Sequence, residues 1–481
     1  MQRLVCVSNR ISLPGNGASS GGLAVGLNAA MSHTGGLWLG WSGEAVAEPA
    51  AEPRVITCGN IRYATLDLTP AQVEDYYNGY CNGSLWPLLH YNPELFKHEQ
   101  RYYEAYQAVN ALFARQLLGL LEPGDAIWVH DYHLIPLARY LRRHQFNGPI
   151  GFFLHTPFPH MQVLRLLPNH AELIRDLCRY DVVGFQTEDD VRSFRSCFEA
   201  GVPAGTRVGA YPIGIDVDAV AREAQSAVNE DVIARMKASL LGRKLIIGVD
   251  RLDYSKGLPE RFAAFDHFLE TFPDNLGNVT FLQIAPLSRA DVLAYSEIRQ
   301  TLEQSAGRIN GKYAEADWTP IRYLNRNFSH ETTMGFLRAA QVGLVTPLRD
   351  GMNLVAKEFI AAQDPADPGV LILSPMAGAA RELTGALKVN PYDKRGMAVA
   401  LQDALHMPLE ERRRRYQQMM ETLRDKDIHH WYGSFCSDLD RVTATRGREV
   451  KLTIAAESPD VQEQGWWRRT VGRLFSSRVS S

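Results

Sequence analysis

Cysteine is scarce in this chain: six residues in 481, at positions 6, 58, 81, 178, 197 and 436. No two of them stand in C-x-x-C spacing, which excludes a local zinc ribbon or dithiol redox motif. Reduced thiols, mostly buried as small hydrophobes in a cytoplasmic protein, are the expectation. Long hydrophobic runs are also missing. No stretch approaches the ~20 apolar residues of a membrane span, and the very short apolar run in MQRLVCVSNR reads as a first β-strand rather than a signal peptide. Neither sign of charge dominates. Lys and Arg number 51 against 54 Asp and Glu, for a net charge of −3, so nothing pulls the whole molecule toward nucleic acid or an anionic membrane. There is no Walker A lysine loop, no full G-x-G-x-x-G and no G-x-S-x-G elbow. These absences remove P-loop, dinucleotide-fingerprint and serine-hydrolase chemistry from the motif-based readings. No fixed-period repeat suggests a solenoid.

What is present is the composition of a soluble globular protein, 45% hydrophobic and 22% charged, in a chain too long for one ordinary core. Short apolar runs alternate with longer helical patterns. LVCVSN, AIWVHD, IGFFLHT, DVVGFQT and AYPIGID read as strands in the first part. KLIIGVD, VTFLQIA, VGLVTP, GVLILSP and ALKVNP read as strands in the second. Many are apolar on both faces, as central parallel strands are. Segments such as EAYQAVNALFARQLLGLL and PERFAAFDHFLETF lie between them with helical spacing. The expected fold class is α/β, with two Rossmann-like doubly wound domains facing across a cleft. The boundary is placed in the polar, helix-prone segment between PIGID and KLIIGVD. The expected units are residues 1–230, residues 231–446 with a last helix that crosses back to the first unit, and a basic and apolar tail, 447–481. The tail ends in GWWRRTVGRLFSSRVSS, which reads either as an untethered terminus or as a short amphipathic recruiting helix. In EERRRR, Glu410 with Arg414 and Glu411 with Arg415 stand at i,i+4 spacing on a solvated helix face.

Ligands of open α/β sheets sit at the carboxyl ends of strands, and those ends are unusually charged here. Arg10 closes the first strand, and a loop with Gly21 and Gly22 follows, where a ligand can approach the backbone and meet a helix N-terminus. Asp131 follows AIWVH, and His155 follows GFFL. Arg251, Asp253 and Lys256 follow KLIIGV, Arg289 follows the next strand, and Asp350 follows VGLVTP. Arginine forks and lysine ammoniums match phosphate oxygens, while aspartate and histidine suit hydroxyls. The set points to a phosphorylated, hydroxyl-rich substrate pair held between two domains. Other readings stay open for single residues. The two histidines of HDYH (130–133) have the spacing of a partial metal site without a third local ligand. Asp131 could orient a neighbouring histidine, and His155 could be an interior imidazole. Asp350 and Asn353 are both competent helix caps, and Glu358 could be a plain surface residue.

The motifs SNR, GGLAVGL, WLGWSG, LWPLLHY, VHDYHL, GFFLHTPFP, VGFQT, YPIGID, DRLDYSKGLPERF, GRINGKY with WTPI, and TPLRDGMNLVAKEF resemble, in order, those of the trehalose-6-phosphate synthase family, glycosyltransferase family 20, from about Arg3 to Trp431. The resemblance implies the GT-B architecture and retaining transfer of glucose from UDP-glucose to glucose 6-phosphate. The products are α,α-trehalose 6-phosphate and UDP, in the service of trehalose biosynthesis and osmoprotection. It implies acceptor contacts at Arg10, Tyr77, Asp131 and Arg289. Donor contacts are implied at Gly21, Gly22, Arg251, Lys256, Phe328 and the run Leu354, Val355, Ala356, Lys357 and Glu358. Trp86 and Thr156 fall at positions tied to anomer selectivity; the polar Thr156 stands where a bacterial relative has an aliphatic residue. Catalysis is assigned to Arg251, Lys256, Asp131, His155 and Asp350. No metal or cofactor is expected. The expected partners are the two small substrates, a second copy of the chain in a homo-oligomer (dimer or tetramer), and a separate downstream phosphatase, with no nucleic acid and no integral membrane segment. The alternatives are a glucosylglycerol-phosphate synthase, which uses glycerol 3-phosphate as acceptor, a non-catalytic sugar-phosphate sensor, and donors carrying ADP or GDP.

Overall fold

A computed structural model describes residues 3–11, 13, 27–28, 31, 35–199, 201–203, 205–287 and 293–456; the side chains of 293–294 and 443–456 are left aside. Among the described residues fourteen strands form two sheets. The first comprises β1 (Leu4–Arg10), β2 (Gly36–Ala45), β3 (Arg54–Cys58), β4 (Ile61–Leu68), β5 (Ala126–His130), β6 (Ile150–Phe153), β7 (Val182–Phe185) and β8 (Arg207–Ala210), in the order β3-β4-β2-β1-β5-β6-β7-β8. All neighbours are parallel except β3 and β4. The second comprises β9 (Lys244–Val249), β10 (Val279–Ile284), β11 (Ile321–Leu324), β12 (Val342–Val345), β13 (Val370–Leu373) and β14 (Leu387–Lys388), all parallel, in the order β11-β10-β9-β12-β13-β14.

Each order reverses once. In the first sheet the chain leaves β1 toward β2 and returns on the other side at β5. In the second it leaves β9 toward β10 and returns at β12. Those reversals are the topological switch points where doubly wound sheets open a crevice. Burial on both faces explains why the central strands read as unbroken apolar runs. Leu4 and Cys6 of β1 face one core, while Val5 and Val7 face another. A third core lies on the far side of the second sheet, around Phe262, Phe265 and Leu401. The core containing Leu4 and Cys6 also runs through Ile213, Ile215, Met334 and Phe359, so it is shared by both halves.

Six helices matter below: α1 (Val73–Leu85, a wide π-type helix), α2 (Val217–Ser226), α3 (Leu258–Thr271), α4 (His330–Ala339), α5 (Leu354–Ala362) and α6 (Ile428–Ala456). Helix α2 packs against α4 and α5 of the second half. Helix α6 crosses back to the first sheet, where Trp431 and Phe435 lie 4.8 and 4.5 Å from the Trp128 ring of β5.

Some expectations require correction. AYPIGID is not the fifth strand. The strand is Arg207–Ala210, and Tyr211–Asp216 is the connector. Proline cannot donate to a ladder, and Pro212 stands where the strand would have continued. Strands β2, β3, β4 and β11 are not among the strands expected from the sequence. In EERRRR, Glu411 alone takes both arginines, Arg414 and Arg415, each at 2.7 Å. All six cysteines are free, and Cys58 is exposed. Among the described residues no helix is long and apolar enough to cross a membrane. The residues 457–481 of the tail lie outside the described set, as do Gly21, Gly22 and Arg289.

Candidate active site

The carboxyl ends of β1 and β5 deliver the first group of side chains. Arg10 is the last residue of β1, and its guanidinium carbon lies 5.8 Å from the Trp41 ring of β2. Trp41 meets Tyr77 of α1 edge-on at 5.6 Å, and Tyr77 stacks on His133 at 6.0 Å. Asp131 follows β5 with φ of +75°, a conformation uncommon outside glycine, and its Oδ1 accepts the backbone N–H of His155 at 3.2 Å. Arg10, Tyr77, Asp131 and His155 therefore share one strand-end region. The two histidines of HDYH diverge: His130 Nδ1 faces His155 Nε2 at 3.1 Å, whereas His133 stacks between Tyr132 and Tyr77. Burial pushes the His155 imidazole down to about 3 and also lowers His130 well below its ordinary range, with His155 adding to the latter shift. Both are neutral at physiological pH. His155 is thus both an interior imidazole and a residue of the strand-end region.

The carboxyl ends of β9 and β12 deliver the second group. Arg251 follows β9, is exposed, and stands 6.0 Å from the Trp86 ring of the first half. Lys256 is nearly buried, with its Nζ 2.6 Å from Asp350 Oδ2. Asn353 donates to the same oxygen at 3.0 Å, and its own Oδ1 accepts Ala356 N–H at 3.2 Å. Asn353 is therefore the N-cap of α5, in a left-handed conformation with φ of +74°. Capping the third amide leaves those of Leu354 and Val355 as the helix's first two donors, aligned with the helix dipole. Beneath this corner Arg261 of α3 is fully buried. It pairs with Asp250 at 2.6 Å and donates to Gln283 at 2.9 Å, Thr346 at 3.1 Å and the Lys256 carbonyl at 3.4 Å, so it braces three strand ends at once.

Along the same face, the Phe328 ring is half-buried, 5.1 Å from Phe336 and 4.5 Å from the Arg326 guanidinium carbon. Glu358, one turn into α5, lies 3.5 Å from His330 Nε2, and His330 Nδ1 is 2.6 Å from Glu223. The two carboxylates, Glu358 first, raise the His330 imidazole to about 9 against the opposing effect of burial. Lys357 departs from its neighbours. Its side chain is fully buried, paired with Glu382 at 2.6 Å and donating to Ile213 O at 2.7 Å. Ala356 is buried as well, so at positions 356 and 357 only backbone remains for a ligand.

The halves meet across the site. A Cβ at Gly351 would lie 2.0 Å from the His155 carbonyl oxygen. Glycine serves this corner through close backbone approach, and the left-handed turn falls two residues later, at Asn353. Thr156, beside that contact, is 5% exposed, and its hydroxyl has no hydrogen-bond partner among the described residues. His90 was missed in the sequence. It sits 3.9 Å from Trp86, ring to ring, with Nδ1 2.9 Å from Trp86 O, and burial lowers its pKa to about 4 while Asp253, Lys256 and Asp350 act on it from across the interface. His330, Arg261 and Trp41 were missed too. His330 was discoverable as the helix-opening histidine two residues after Phe328; Arg261 carried no signal inside an ordinary amphipathic helix.

The arrangement places cations, helix amides and carboxylates from two switch points on either side of one interface, suited to two anionic, hydroxylated ligands. The family model of glycosyltransferase family 20 matches residues 15–441. A trehalose-6-phosphate synthase of Cronobacter sakazakii is 49% identical over 470 residues, 95% of this chain and 99% of its own length. An α,α-trehalose-phosphate synthase (UDP-forming) from Burkholderia xenovorans, solved in complex with glucose-6-phosphate, is 48% identical with a TM-score of 0.88, over 91% of this chain and 100% of that one. A protein of E. coli solved with bound UDP-2-fluoro glucose is 47% identical with a TM-score of 0.86, over 91% and 98% of the two chains.

Proposed function

The chain belongs to glycosyltransferase family 20, and from that premise we propose that it transfers glucose, with retention, from UDP-glucose to glucose 6-phosphate, yielding α,α-trehalose 6-phosphate and UDP. The observation that carries this reading is the pairing of two charged switch points, Arg10 and Asp131 in one half and Arg251, Lys256 and Asp350 in the other, across the contact of Gly351 with His155. A relative solved with glucose-6-phosphate supports the hexose phosphate over glycerol 3-phosphate as acceptor, and one solved with UDP-2-fluoro glucose supports the UDP-linked donor.

In this reading the donor diphosphate lies against Arg251, Lys256 and the first amides of α5, which together meet the charge that grows as the glycosidic bond breaks. Glu358, held by His330, takes the ribose hydroxyls, and the backbone at Phe328 takes the base. Arg10 and Arg289 take the acceptor phosphate, while Tyr77 and Asp131 take its sugar. Gly21 and Gly22 cover the donor. Trp86 and Thr156 border the two sugars, where anomer choice is made. The anomeric hydroxyl of the acceptor attacks the donor's anomeric carbon on the face that UDP leaves. One C–O bond forms, the C–O bond to the diphosphate breaks, and the departing phosphate takes the proton. The protein contributes positioning and charge stabilisation. The cationic side chains and helix amides supply the positive charge, with no metal or cofactor in the scheme. A homo-oligomer and a separate phosphatase that consumes the product complete the proposal. The test is a panel of UDP-, ADP- and GDP-glucose against glucose 6-phosphate and glycerol 3-phosphate, with linkage read by NMR. An α,α-1,1-linked product from UDP-glucose and glucose 6-phosphate is expected; turnover confined to glycerol 3-phosphate, or none with any pair, would overturn the reading.

A further inference from the structure

The backbone crosses between the halves twice, through Tyr211–Asp216 and back through Lys426–Ile428. The crossings touch: Ile428 N–H donates to Ile215 O at 3.1 Å, and a Cβ at Gly214 would fall 2.2 Å from the carbonyl carbon of Asp427. One residue of the first crossing, Ile213, is held through both its backbone N–H and its carbonyl. The N–H of Ile213 donates to Gln186 Oε1 at 3.0 Å, and the Gln186 amide nitrogen is 3.5 Å from His155 Nδ1. The carbonyl of Ile213 accepts from Lys357 Nζ at 2.7 Å. The same ammonium pairs with Glu382, 2.6 Å away, and Glu382 in turn lies 3.8 Å from Lys426 Nζ on the second crossing. One side chain of α5 therefore grips the first crossing directly and the second through a carboxylate.

A fully buried ammonium is costly unless paired, and an apolar residue of similar volume is often no worse for stability. Packing alone gives little reason for a lysine at this point, one residue from Glu358. We propose that Lys357 is a positioning residue: through Ile213, Glu382 and Lys426 it ties the donor-binding helix to both chain crossings, so that donor occupancy sets the placement of the acceptor half. The inference rests on the reading of α5 as the donor-binding helix. In energetic terms it is a coupling between two ligand sites carried by a defined set of contacts.

The test uses the full chain, UDP and glucose 6-phosphate, with two variants: Lys357→Met/Glu382→Gln, which removes both buried charges together, and Lys426→Met, whose side chain is 42% exposed and removable without a core defect. Calorimetry measures UDP affinity alone and glucose 6-phosphate affinity with and without saturating UDP; steady-state rates are taken in parallel. The wild type is expected to bind glucose 6-phosphate at least about fivefold tighter with UDP present, the low end of typical site-to-site coupling. Both variants should keep UDP affinity within about threefold, lose most of that ratio, and lose kcat, by about tenfold in the double variant and about threefold in Lys426→Met. A wild-type ratio near one, variants that keep both ratio and kcat, or UDP affinity that falls in step with kcat would each overturn the tie. Should the double variant fail to fold, Lys426→Met decides alone. A wild type that does not bind UDP would instead bring down the donor reading on which the tie stands.

Discussion

A methyl group at position 351 would stand 2.0 Å from the carbonyl oxygen of His155, closer than any real contact, and the atom it meets is backbone. Gly351→Ala is therefore expected to hold the halves apart. Activity should fall by about a hundredfold or more, because a displacement of about 1 Å at the reacting atoms already costs that much, while UDP affinity stays within about threefold, since binding to one half does not require the contact. Steady-state kinetics beside calorimetry checks both. Arg251 makes a different kind of contribution. It is exposed beside Trp86, so Arg251→Ala should fold normally and lose roughly a hundredfold in kcat, the cost of one well-placed charge donor. Most of these residues could be read from the sequence because a charge at a strand end is visible in one dimension. His90 could not, since the charges that act on it, Asp253, Lys256 and Asp350, lie across the interface; for His330 the position was visible at a helix start, but its ion partners Glu223 and Glu358 come from other helices.

At the scale of the element, the first turn of helix α5, proposed to meet the donor, depends on Asn353. The residue is left-handed, caps Ala356 and holds Asp350. Asn353→Gly tolerates the dihedral but loses both side-chain contacts; Asn353→Ala loses them and is strained as well. Loss of a cap costs about 1 kcal/mol and substitution by Gly less, so Ala is expected to lower the melting temperature more than Gly. Both should raise the donor KM, because the amides proposed to meet the diphosphate lose the cap that orders them and Asp350 loses a partner that fixes it, as thermal melts and initial rates will show. Element type followed from pattern for the central strands, whose double-sided burial leaves unbroken apolar runs. It failed for AYPIGID, where Ile213 and Ile215 are apolar because they are buried at the crossing between halves. It also failed for β3, an edge strand with little burial to mark it.

Across the whole molecule, three buried imidazoles make stability depend on acid. His90 and His155 are lowered to about 4 and about 3 from an ordinary 6.5, and His130 is lowered as well. The unfolded chain binds protons that the folded one refuses. The stability these groups contribute is therefore complete above about 6.5 and drains away as pH falls toward 4 and then 3. His330 runs the other way: raised to about 9, its contribution is complete below about 6.5 and lost as pH rises through 9. Unfolding midpoints measured from about pH 4 to 10 should fall off on both sides, and His330→Gln should flatten the alkaline limb only. Closure belongs to this scale as well. Adding UDP and glucose 6-phosphate together is expected to contract the molecule in solution scattering, and dialysis against EDTA should leave kcat within about twofold if side chains and amides supply the charge.

The order of apolar and polar residues along the chain determined the central strands of both halves and the charges at their carboxyl ends, because strand burial and strand-end charge are local properties carried by successive residues. Folding in three dimensions decided the rest. Only when the sheets reverse at β1/β5 and β9/β12 do Arg10, Asp131, Arg251 and Asp350 come to share an interface. Only when the chain crosses twice does a lysine read as a ligand contact turn inward to hold Ile213 and Glu382. A side chain's neighbours across an interface depend on how distant segments pack, and no periodicity within one segment records that.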